Sequence, residues 1–452
     1  MGIENIQRFK DCFKKIVIKK IIRQYFFLLA LFSVCQYSQA QSVSKPRILI
    51  STDIGGTDPD DHQSMIHLLM YANRFQIEGL VSTSFVGPRK QEIERLIDLY
   101  GKDRKDLQSH AKGFPSVKGL KKVCKQGVIK AAPFKGYTNA TEGSDWLINC
   151  ARKKSAQPLW VLVWGGLEDL AQALHDAPDI KKNIRVYWIG GPNKKWSVNA
   201  YDYIVSNFPD LWFIESNATY RGWFMDADSP DSLKAKNLYS NFILGHGAMG
   251  NDFVQYYGGV IKMGDTPSLA YLLNGDPSNP MGESWGGSYI PIQHSTKRIV
   301  TQSQPLTDTI ATYAVIEWRF KGPEINIHPD SSCFILEVAG QQWPGYYLGK
   351  GEYAVRYSPK QVESRIFRII SEIPELNRQS GQYTARTPWP GAGHADDYKV
   401  GPHWYSDRTD AGLFIETQQG AKTISKHRVA FLTDWAGRWA WLEKKSYQPK
   451  KQ

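Results

Sequence analysis

The stretch Arg47-Ile-Leu-Ile-Ser-Thr-Asp-Ile-Gly-Gly-Thr-Asp-Pro-Asp-Asp-His-Gln-Ser-Met65 decides the fold. It begins with a short apolar run, residues 48–50, of the kind that forms a buried strand. It ends by opening a helix pattern whose apolar positions continue to residue 70. Between strand and helix stand four carboxylates, which are Asp53, Asp58, Asp60 and Asp61. Ligands of open α/β sheets bind at the carboxyl ends of strands, so this turn is a candidate site.

Four carboxylates so close together repel one another unless a cation or bound protons relieve the repulsion. Oxygen ligands suit a hard cation such as Ca²⁺ or Mg²⁺. The alternative is an acidic, solvated turn that caps the following helix, since aspartate is common in turns and at helix N-termini. The turn by itself does not separate these two interpretations.

Residues 46–275 alternate between strand and helix patterns. Strands are expected at 77–83, 158–166, 184–191 and 211–215, and helices at 90–100, 144–153, 167–174 and 200–207. Residues 103–140 are expected to form a surface connection. This rhythm predicts βαβ units, hence an α/β fold with a mostly parallel sheet flanked by helices.

From about residue 296 the pattern changes to short strands separated by Gly, Pro and Asp turns. Strands are expected at 311–320, 333–338, 352–357 and 364–370, followed by a loop over 380–402. This pattern predicts a small all-β module resembling a sandwich. The expected organisation is an α/β domain over 41–295, the β-rich module over 296–390, and a Trp-rich segment over 391–452 that packs back on the α/β domain.

The first forty residues have the pattern of a secretory signal peptide. A basic region precedes a short apolar run, and Ser38-Gln-Ala40 is a small-x-small cleavage site. The apolar run is shorter than the roughly 18–20 residues that span a bilayer. We therefore expect export to the periplasm or beyond, with cleavage near Ala40 and no membrane span.

Composition narrows the classes of partner. Loss of residues 1–40 lowers the formal net charge from +12 to +7, and no dense Lys/Arg run remains to indicate nucleic-acid binding. Three cysteines stay in the mature chain. Cys124 and Cys150 could form one disulfide in an exported protein, or all three could be free and buried. The sequence leaves a homo-oligomer open.

Four motifs, of which the first belongs to the opening stretch, point to one family. They are Thr52-Asp53 with Pro59-Asp-Asp-His-Gln-Ser64, Val163-Trp-Gly-Gly-Leu-Glu-Asp169, Ile189-Gly-Gly191 with Asn199-Ala-Tyr-Asp202, and Gly264-Asp-Thr-Pro-Ser268. Together they resemble the inosine/uridine-preferring nucleoside hydrolases over about residues 46–290. The resemblance is strongest to a branch of secreted bacterial proteins described as nucleoside hydrolase-like and cellulose-binding.

The resemblance implies a metal site and a mechanism. Ca²⁺, favoured over Mg²⁺, would be held by Asp61, Asp265, Asp53 or Asp60, and the Trp164 carbonyl. The ion would chelate vicinal sugar hydroxyls and a water, and a neighbouring aspartate, Asp53 or Asp60, would take the water's proton.

The resemblance also implies a sugar site, to which Asn199 and Asp202 would contribute by fixing hydroxyls. Trp285 is a candidate stacking wall for a sugar or base, with a packed turn as the alternative. Asp58 is either a substitute base that also contacts the substrate or a solvent-facing turn residue.

Two features depart from the hydrolases. Asp53 and Asp60 are seven residues apart where the hydrolase pattern has six, and Gly264 occupies the place of the histidine that protonates the leaving base. Glu283 and His246 are candidate replacement acids. A loop cluster over 394–410, rich in Asp and His, is expected to be solvated rather than a second metal site.

The sequence thus predicts a secreted, Ca²⁺-dependent hydrolase of the glycosidic bond of a sugar with vicinal hydroxyls, an N- or O-glycoside. The rival is a non-catalytic polysaccharide-binding protein that keeps the pocket. A nucleoside hydrolase in the strict sense is a third possibility. The expected partner is a carbohydrate or a nucleoside.

Overall fold

A computed structural model describes residues 44–55, 58–83, 87–225, 229–257, 261–301 and 309–442. The predicted signal peptide and its cleavage site lie outside these residues. Residues from Pro46 onward form one unit. In the described ranges, no helix is both long enough and apolar enough to cross a membrane.

Eighteen strands and twelve α-helices make up the described chain. The strands are β1 Arg47–Thr52, β2 Gln76–Ser82, β3 Cys124–Gln126, β4 Leu159–Val163, β5 Ile184–Ile189, β6 Phe213–Ser216, β7 Tyr289–Pro291, β8 His294–Ser295, β9 Lys297–Thr301, β10 Thr309–Ala311, β11 Val315–Lys321, β12 Ser332–Val338, β13 Gln341–Gly349, β14 Glu352–Tyr357, β15 Glu363–Ile370, β16 Ser380–Arg386, β17 Tyr398–Lys399 and β18 Trp404–Asp407. The helices are α1 Asp60–Met70, α2 Lys90–His110, α3 Val117–Lys122, α4 Glu142–Ala151, α5 Glu168–Asp176, α6 Gly191–Trp196, α7 Val198–Asn207, α8 Ala235–Leu238, α9 Gly247–Tyr257, α10 Thr266–Leu273, α11 Lys422–Ser425 and α12 Arg428–Trp439.

The first sheet has the order β3-β2-β1-β4-β5-β6-β18-β7. All its neighbouring pairs are parallel except β18 with β7, which is antiparallel. Every residue of β1 and of β4 is buried, as expected for central strands covered on both faces. The predicted mostly parallel α/β sheet is therefore confirmed.

Two apolar cores lie on opposite faces of this sheet. Ile48 and Ile50 belong to the first core and Leu49 to the second, because successive side chains of a strand point to opposite faces. Helices α1, α2, α10 and α12 supply the first core, and helices α4, α5 and α7 supply the second. The short apolar run that opens the chain's fold thus contributes to both cores.

The prediction of a surface connection over 103–140 was wrong for its first half. Helix α2 continues to His110, and α3 and β3 follow. The continuation has a physical cause, since Leu107 extends the buried stripe of Ile93, Leu96 and Tyr100. Buried Asp103 also accepts hydrogen bonds from the amides of Ala248 and Met249 at 2.7 and 2.8 Å.

The second sheet has eight strands in the order β10-β16-β15-β12-β13-β14-β11-β9. The all-β composition was predicted correctly, but the sandwich was wrong, because all eight strands belong to one hydrogen-bonded sheet. That sheet curls around a single core in which Trp318, Phe367 and Tyr383 meet. Residues 380–386, expected to be loop, form β16 of this barrel-like sheet.

The second sheet is inserted into the first one. Strand β18 follows the inserted strands in sequence, yet it lies between β6 and β7 in the parallel sheet. Beyond it, helix α12 packs on the first core, where Phe431 stacks on Trp223 at 3.8 Å. Arg438 donates to the Met70 carbonyl at 3.1 Å. The Trp-rich end of the chain is thus a packing segment, as its composition indicates.

The three described cysteines are free. The buried thiols of Cys124 and Cys150 donate to the carbonyls of Leu120 and Glu78, each at 3.4 Å. Of the two possibilities left open by the sequence, the disulfide was wrong and the free set is the one observed.

Candidate functional site

Four aspartates meet at the carboxyl edge of the parallel sheet. Asp53 follows β1, Asp60 and Asp61 open α1, and Asp265 directly precedes α10. We call these four residues the aspartate cluster. Asp61 and Asp265 are 7% and 2% exposed. The position agrees with the rule that ligands bind where parallel strands end.

Burial and mutual repulsion shift the pKa values of all four carboxyls upward. Burial raises the pKa of Asp61 well above its usual value, and the charges of Asp53 and Asp265 raise it further. Burial, and then the charges of Asp60 and Asp53, act in the same way on the pKa of Asp265. Burial raises the pKa of Asp60 to about 7, against the opposing effect of Lys262. Four full charges cannot therefore coexist here near neutral pH without a cation.

Two carboxylate oxygens of the cluster have no hydrogen-bond partner in the part of the chain that the structure describes. The Thr52 hydroxyl donates to Asp61 Oδ1, and Lys262 Nζ lies 2.9 Å from Asp60 Oδ2. Asp60 Oδ1 and Asp265 Oδ2 are buried without a hydrogen-bond partner among the described residues. Buried polar atoms are nearly always paired in proteins, so two unpaired carboxylate oxygens indicate a missing positive partner.

The donor set fits a hard cation in its chemistry, since every donor is an oxygen atom. In the structure, the described ranges contain no three His, Cys, Asp or Glu side chains that are arranged to hold a metal ion. The carboxyls of Asp53 and Asp61 instead share a hydrogen bond, which requires a proton on one of them. A cation at the cluster would take the place of that proton.

The Trp164 carbonyl lies at the same edge, where β4 ends. It accepts a hydrogen bond from Asn193 Nδ2 at 3.0 Å, which leaves it one lone pair for another partner. The next residue, Gly165, packs so closely on Asp53 that an added Cβ would lie 2.8 Å from its Cβ. The sequence did not single out Asn193, although it stands two residues after the Gly-Gly pair.

Gly264 has a steric reason for being glycine. A Cβ built on it would lie 2.5 Å from Asp60 Oδ2, so a side chain would displace the Asp60 carboxyl. The place that the hydrolases give to a histidine is therefore closed here by Asp60. The structure thus explains this departure by the packing of the cluster itself.

Three further residues, missed from the sequence, belong to the site. They are Lys262, Tyr220 and Arg221. Burial raises the pKa of Tyr220, and the charges of Asp60 and Asp265 act on it. Arg221 Nε is buried without a hydrogen-bond partner in the described ranges. Tyr220 and Arg221 come shortly after β6. Their position after the end of a predicted strand was the sequence signal that could have identified them.

The inserted sheet reaches this site through Tyr313, in the turn between β10 and β11. Burial raises the pKa of Tyr313, and the adjacent Arg221 charge offsets part of that effect. Tyr220 and, more weakly, the charge of Asp60 in turn raise the pKa of Arg221. Arg221 therefore interacts electrostatically both with Tyr313 of the inserted sheet and with Asp60 of the aspartate cluster.

The structure does not bring Asn199 and Asp202 to the cluster. Asn199 donates to the Ala132 carbonyl at 3.1 Å, and Asp202 is ion-paired with Lys297 and Arg356 at 3.0 and 3.1 Å. Both cations belong to the inserted sheet. These residues join α7 to that sheet, which corrects the expectation that they fix sugar hydroxyls.

Glu283 also differs from its predicted role as an acid. Its side chain is 65% exposed and contacts Lys426 Nζ at 2.5 Å and His427 Nε2 at 2.9 Å. Hydrogen bonding to Lys426 lowers its pKa, so the carboxyl stays ionised and has no proton to give near neutral pH. Trp285 is half-buried against the first core.

Asp58 is exposed at the rim of the cluster. It accepts a hydrogen bond from the amide of Asp60 at 3.3 Å and pairs with Lys262. It is thus a turn residue that shares a cation with Asp60. His246 lies in the turn before α9, and its role as a proton donor stays a prediction.

The loop cluster over 394–410 is structural. Asp397 accepts from the amides of Lys297 and His394 at 3.0 and 2.7 Å. Asp407 accepts from the amide of Ala218 at 2.8 Å, in the turn after β6. These carboxylates satisfy backbone donors, and Asp397 and Asp407 are buried rather than solvated as expected.

A parallel α/β sheet with a buried aspartate cluster at its carboxyl edge defines a nucleoside hydrolase-like protein. Residues 47–289, more than half of the chain, match the family model "Cellulose-binding Sde182, nucleoside hydrolase-like domain". The chain belongs to this family. No curated protein matches it. Family membership supports a hydrolase-like or carbohydrate-binding role.

Solved structures with similar folds include a nucleoside hydrolase-related hypothetical protein from Saccharophagus degradans, described as associated with carbohydrate metabolism. It shares 16% identity, with 76% of this chain and 99% of that chain covered and a TM-score of 0.47. The inosine-uridine preferring nucleoside hydrolase of Bacillus anthracis shares 18%, with 56% and 86% covered and a TM-score of 0.37. The purine-preferring ribonucleoside hydrolase of Gardnerella vaginalis shares 15%, with 55% and 84% covered and a TM-score of 0.35. At such identities and TM-scores, these likenesses carry no conclusion about function.

Proposed function

We propose that the protein is an exported, Ca²⁺-dependent hydrolase of glycosidic bonds, whose substrate is a sugar with vicinal hydroxyls. The observation that carries the proposal is the aspartate cluster, with its raised pKa values and the two unpaired oxygens of Asp60 and Asp265. A buried group of carboxylates that destabilises itself is expected where a cation belongs. The pattern of residues 1–40 supports export.

Asp53, Asp61, Asp265 and the Trp164 carbonyl would hold the ion. When bound, a Ca²⁺ ion would supply the positive charge that orients and acidifies a water and the sugar hydroxyls. Asn193 would keep the Trp164 carbonyl turned toward the site, because its amide already donates to that oxygen at 3.0 Å. Ligands fixed by such partners hold a cation more tightly.

Asp60 would act as the general base. Its pKa is raised to about 7 in the metal-free protein, and a cation at the neighbouring carboxylates would lower that pKa, so the carboxylate would be ionised and able to accept a proton near neutral pH. Its Oδ2 is held by Lys262 at 2.9 Å, and its Oδ1 has no hydrogen-bond partner among the described residues. That unpaired oxygen is the one that would accept the proton of the attacking water.

The other carboxylates would stabilise the positive charge that builds on the sugar ring as the bond to the leaving group lengthens. Tyr220 would donate a hydrogen bond to the substrate, because its raised pKa keeps the hydroxyl protonated. Gly264 leaves no side chain to protonate a leaving group, so the proton that a leaving sugar oxygen or base needs would come from another residue, for which His246 is the remaining candidate. The pattern of residues 1–40, which supports export, favours a carbohydrate O-glycoside over a nucleoside.

The second candidate function is non-catalytic carbohydrate binding at the same pocket. The same Gly264 favours it, since an acid at that place is missing, and so does the description of the family as cellulose-binding. Cation and sugar hydroxyls would then be held without turnover.

One experiment separates these functions. The chain without residues 1–40 is assayed by thermal unfolding with Ca²⁺ or EDTA, and for release of sugar from aryl glycosides, inosine and uridine. We expect Ca²⁺ to raise the melting temperature and to be needed for turnover. Asp61→Asn should lose both effects, while Asp145→Asn, at an exposed position of α4, should keep them.

Each outcome has a meaning. Stabilisation by Ca²⁺ without turnover, together with saccharide binding, would replace the hydrolase by the binding protein. Turnover of inosine or uridine alone would identify a nucleoside hydrolase. A melting temperature that Ca²⁺ does not change would contradict the metal site and both functions built on it.

A further inference from the structure

A cavity lies at the edge of the parallel sheet opposite the aspartate cluster. It has a volume of about 850 Å³ and is lined by residues at the amino ends of β1, β4, β5, β6 and β18. The turn over 151–158 and the residues over 181–185 form two of its sides. Because the aspartate cluster lies where the parallel strands end, this cavity is a separate site.

One side of the cavity carries cations that are already paired. Arg47 and Lys153 both contact the buried carboxylate of Glu78, at 2.6 and 2.9 Å. Arg152 contacts Asp179 at 2.7 Å. The Arg47 guanidinium also donates to a backbone carbonyl at 2.8 Å. These contacts fix this side of the cavity and leave one positive charge in excess.

The rest of the lining is more strongly positive. Lys154, Lys181, Lys182 and Arg185 face a single carboxylate, Asp210, among the described lining residues. Lys154, Lys181 and Lys182 are exposed. With Glu78 and Asp179 included, the cations exceed the carboxylates by four. Like charges gathered in one concave surface raise the local concentration of anions there.

The cavity also presents aromatic surface. Trp212 and Tyr405 line it, with ring centroids 5.5 Å apart. Trp212 stands edge-on to Trp160 at 83°, and the Arg185 guanidinium lies 5.1 Å from the Trp212 ring. Such rings pack on the apolar faces of sugars. They do not form a parallel pair that could enclose a nucleobase.

We propose that this cavity binds an oligosaccharide that carries acidic groups, carboxylates or sulfates. The lysines and arginine would pair with the acidic groups, the Trp212 and Tyr405 rings would contact the sugar faces, and the Ser278 and Asn183 side chains at the rim would bind hydroxyls. The proposal does not depend on the aspartate cluster.

The test measures binding by isothermal titration calorimetry with the mature chain. The probes are a hexameric oligogalacturonate, a sulfated galactan oligosaccharide, neutral cellohexaose, and a single-stranded oligonucleotide of equal charge. Asp61→Asn is used as the background, so that binding at the aspartate cluster does not contribute. We expect an acidic saccharide to bind, added salt to weaken it, and cellohexaose not to bind.

Lys154→Glu with Lys181→Glu should weaken that binding roughly tenfold or more, as expected for the reversal of two exposed charges. The control, Lys118→Glu with Lys130→Glu, makes the same charge change at exposed positions outside the cavity and should leave binding unchanged. Equal weakening by both double variants would overturn the proposal. So would tighter binding of the oligonucleotide, equal binding of cellohexaose, or no binding of either acidic saccharide.

Discussion

Replacement of Asp60 by asparagine should make the metal-free protein less sensitive to pH. In the folded chain the Asp60 carboxyl keeps its proton up to about pH 7, whereas in the unfolded chain it loses it near the usual value of 3.8. Between these values the folded state binds more protons than the unfolded state. Stability is therefore greatest at low pH in this window and falls as the pH rises.

The magnitude follows from the two pKa values. Each pH unit between them costs the folded state about 1.4 kcal/mol. The interval from 3.8 to about 7 thus amounts to roughly 4 kcal/mol from this one carboxyl. Asparagine cannot ionise, so Asp60→Asn removes this contribution. It also removes a charge that raises the pKa of Asp265, which flattens the dependence further.

The assay is urea unfolding followed by tryptophan fluorescence in EDTA, at pH 5 and pH 8. The free energy of unfolding of the unmodified chain should fall more between these pH values than that of Asp60→Asn, by roughly 3 kcal/mol, because only the part of the titration interval from pH 5 to about 7 lies inside this window. The exposed-site variant Asp145→Asn should behave as the unmodified chain. Equal falls for the unmodified chain and Asp60→Asn would refute the electrostatic description of the cluster.

Three further variants test residues that support the aspartate cluster or join the inserted sheet to α7. Asn193→Ala frees the Trp164 carbonyl from its orienting partner and should weaken Ca²⁺ binding by about 10- to 100-fold in a calorimetric titration, the usual effect of losing such a partner; unchanged affinity would show that the carbonyl is not a ligand. Gly264→Ala places a Cβ where Asp60 Oδ2 lies, and should cost about 1–3 kcal/mol in urea unfolding; a neutral result would mean that the carboxyl moves freely. Arg356→Met removes a buried cation that Asp202 and Glu317 share with Lys297 and should cost about 1–3 kcal/mol in urea unfolding, whereas an unchanged stability would contradict a structural role for these ion pairs.

The position of the aspartate cluster could be predicted because it follows from short-range patterns. A fully apolar run such as residues 48–50 indicates a strand buried on both faces, and the carboxylates that come after it must lie at the strand's end. Asp265 stands just before a helix that packs beside this edge. Two general rules, on buried strands and on ligand positions, were sufficient for these residues.

The contacts of Asn199 and Asp202 could not be predicted from sequence patterns. Both lie on a helix, where neighbouring positions point about 100° apart, and a motif does not state which face meets the sheet. Glu283 was misassigned for a different reason. Its partners Lys426 and His427 lie more than 140 residues further along the chain, so its ion pairs were not visible in the local sequence.

The second sheet was predicted in composition but not in topology. Pairs such as β9 with β11 or β10 with β16 join segments that are separated in sequence by other strands. Strand propensity does not state which segments pair. Strand β18 was missed for the same reason, because its four residues pair with strands that precede a long insertion.

The most direct test of the central claim is a calorimetric Ca²⁺ titration of the mature chain and of Asp61→Asn, in two buffers with different ionisation enthalpies. Carboxyls with raised pKa values must release protons when a cation binds. We predict that the unmodified chain binds Ca²⁺ with a buffer-dependent enthalpy, which shows this release, and that Asp61→Asn loses binding. No binding by the unmodified chain, or the same binding by Asp61→Asn, would contradict the assignment of the aspartate cluster as a cation site.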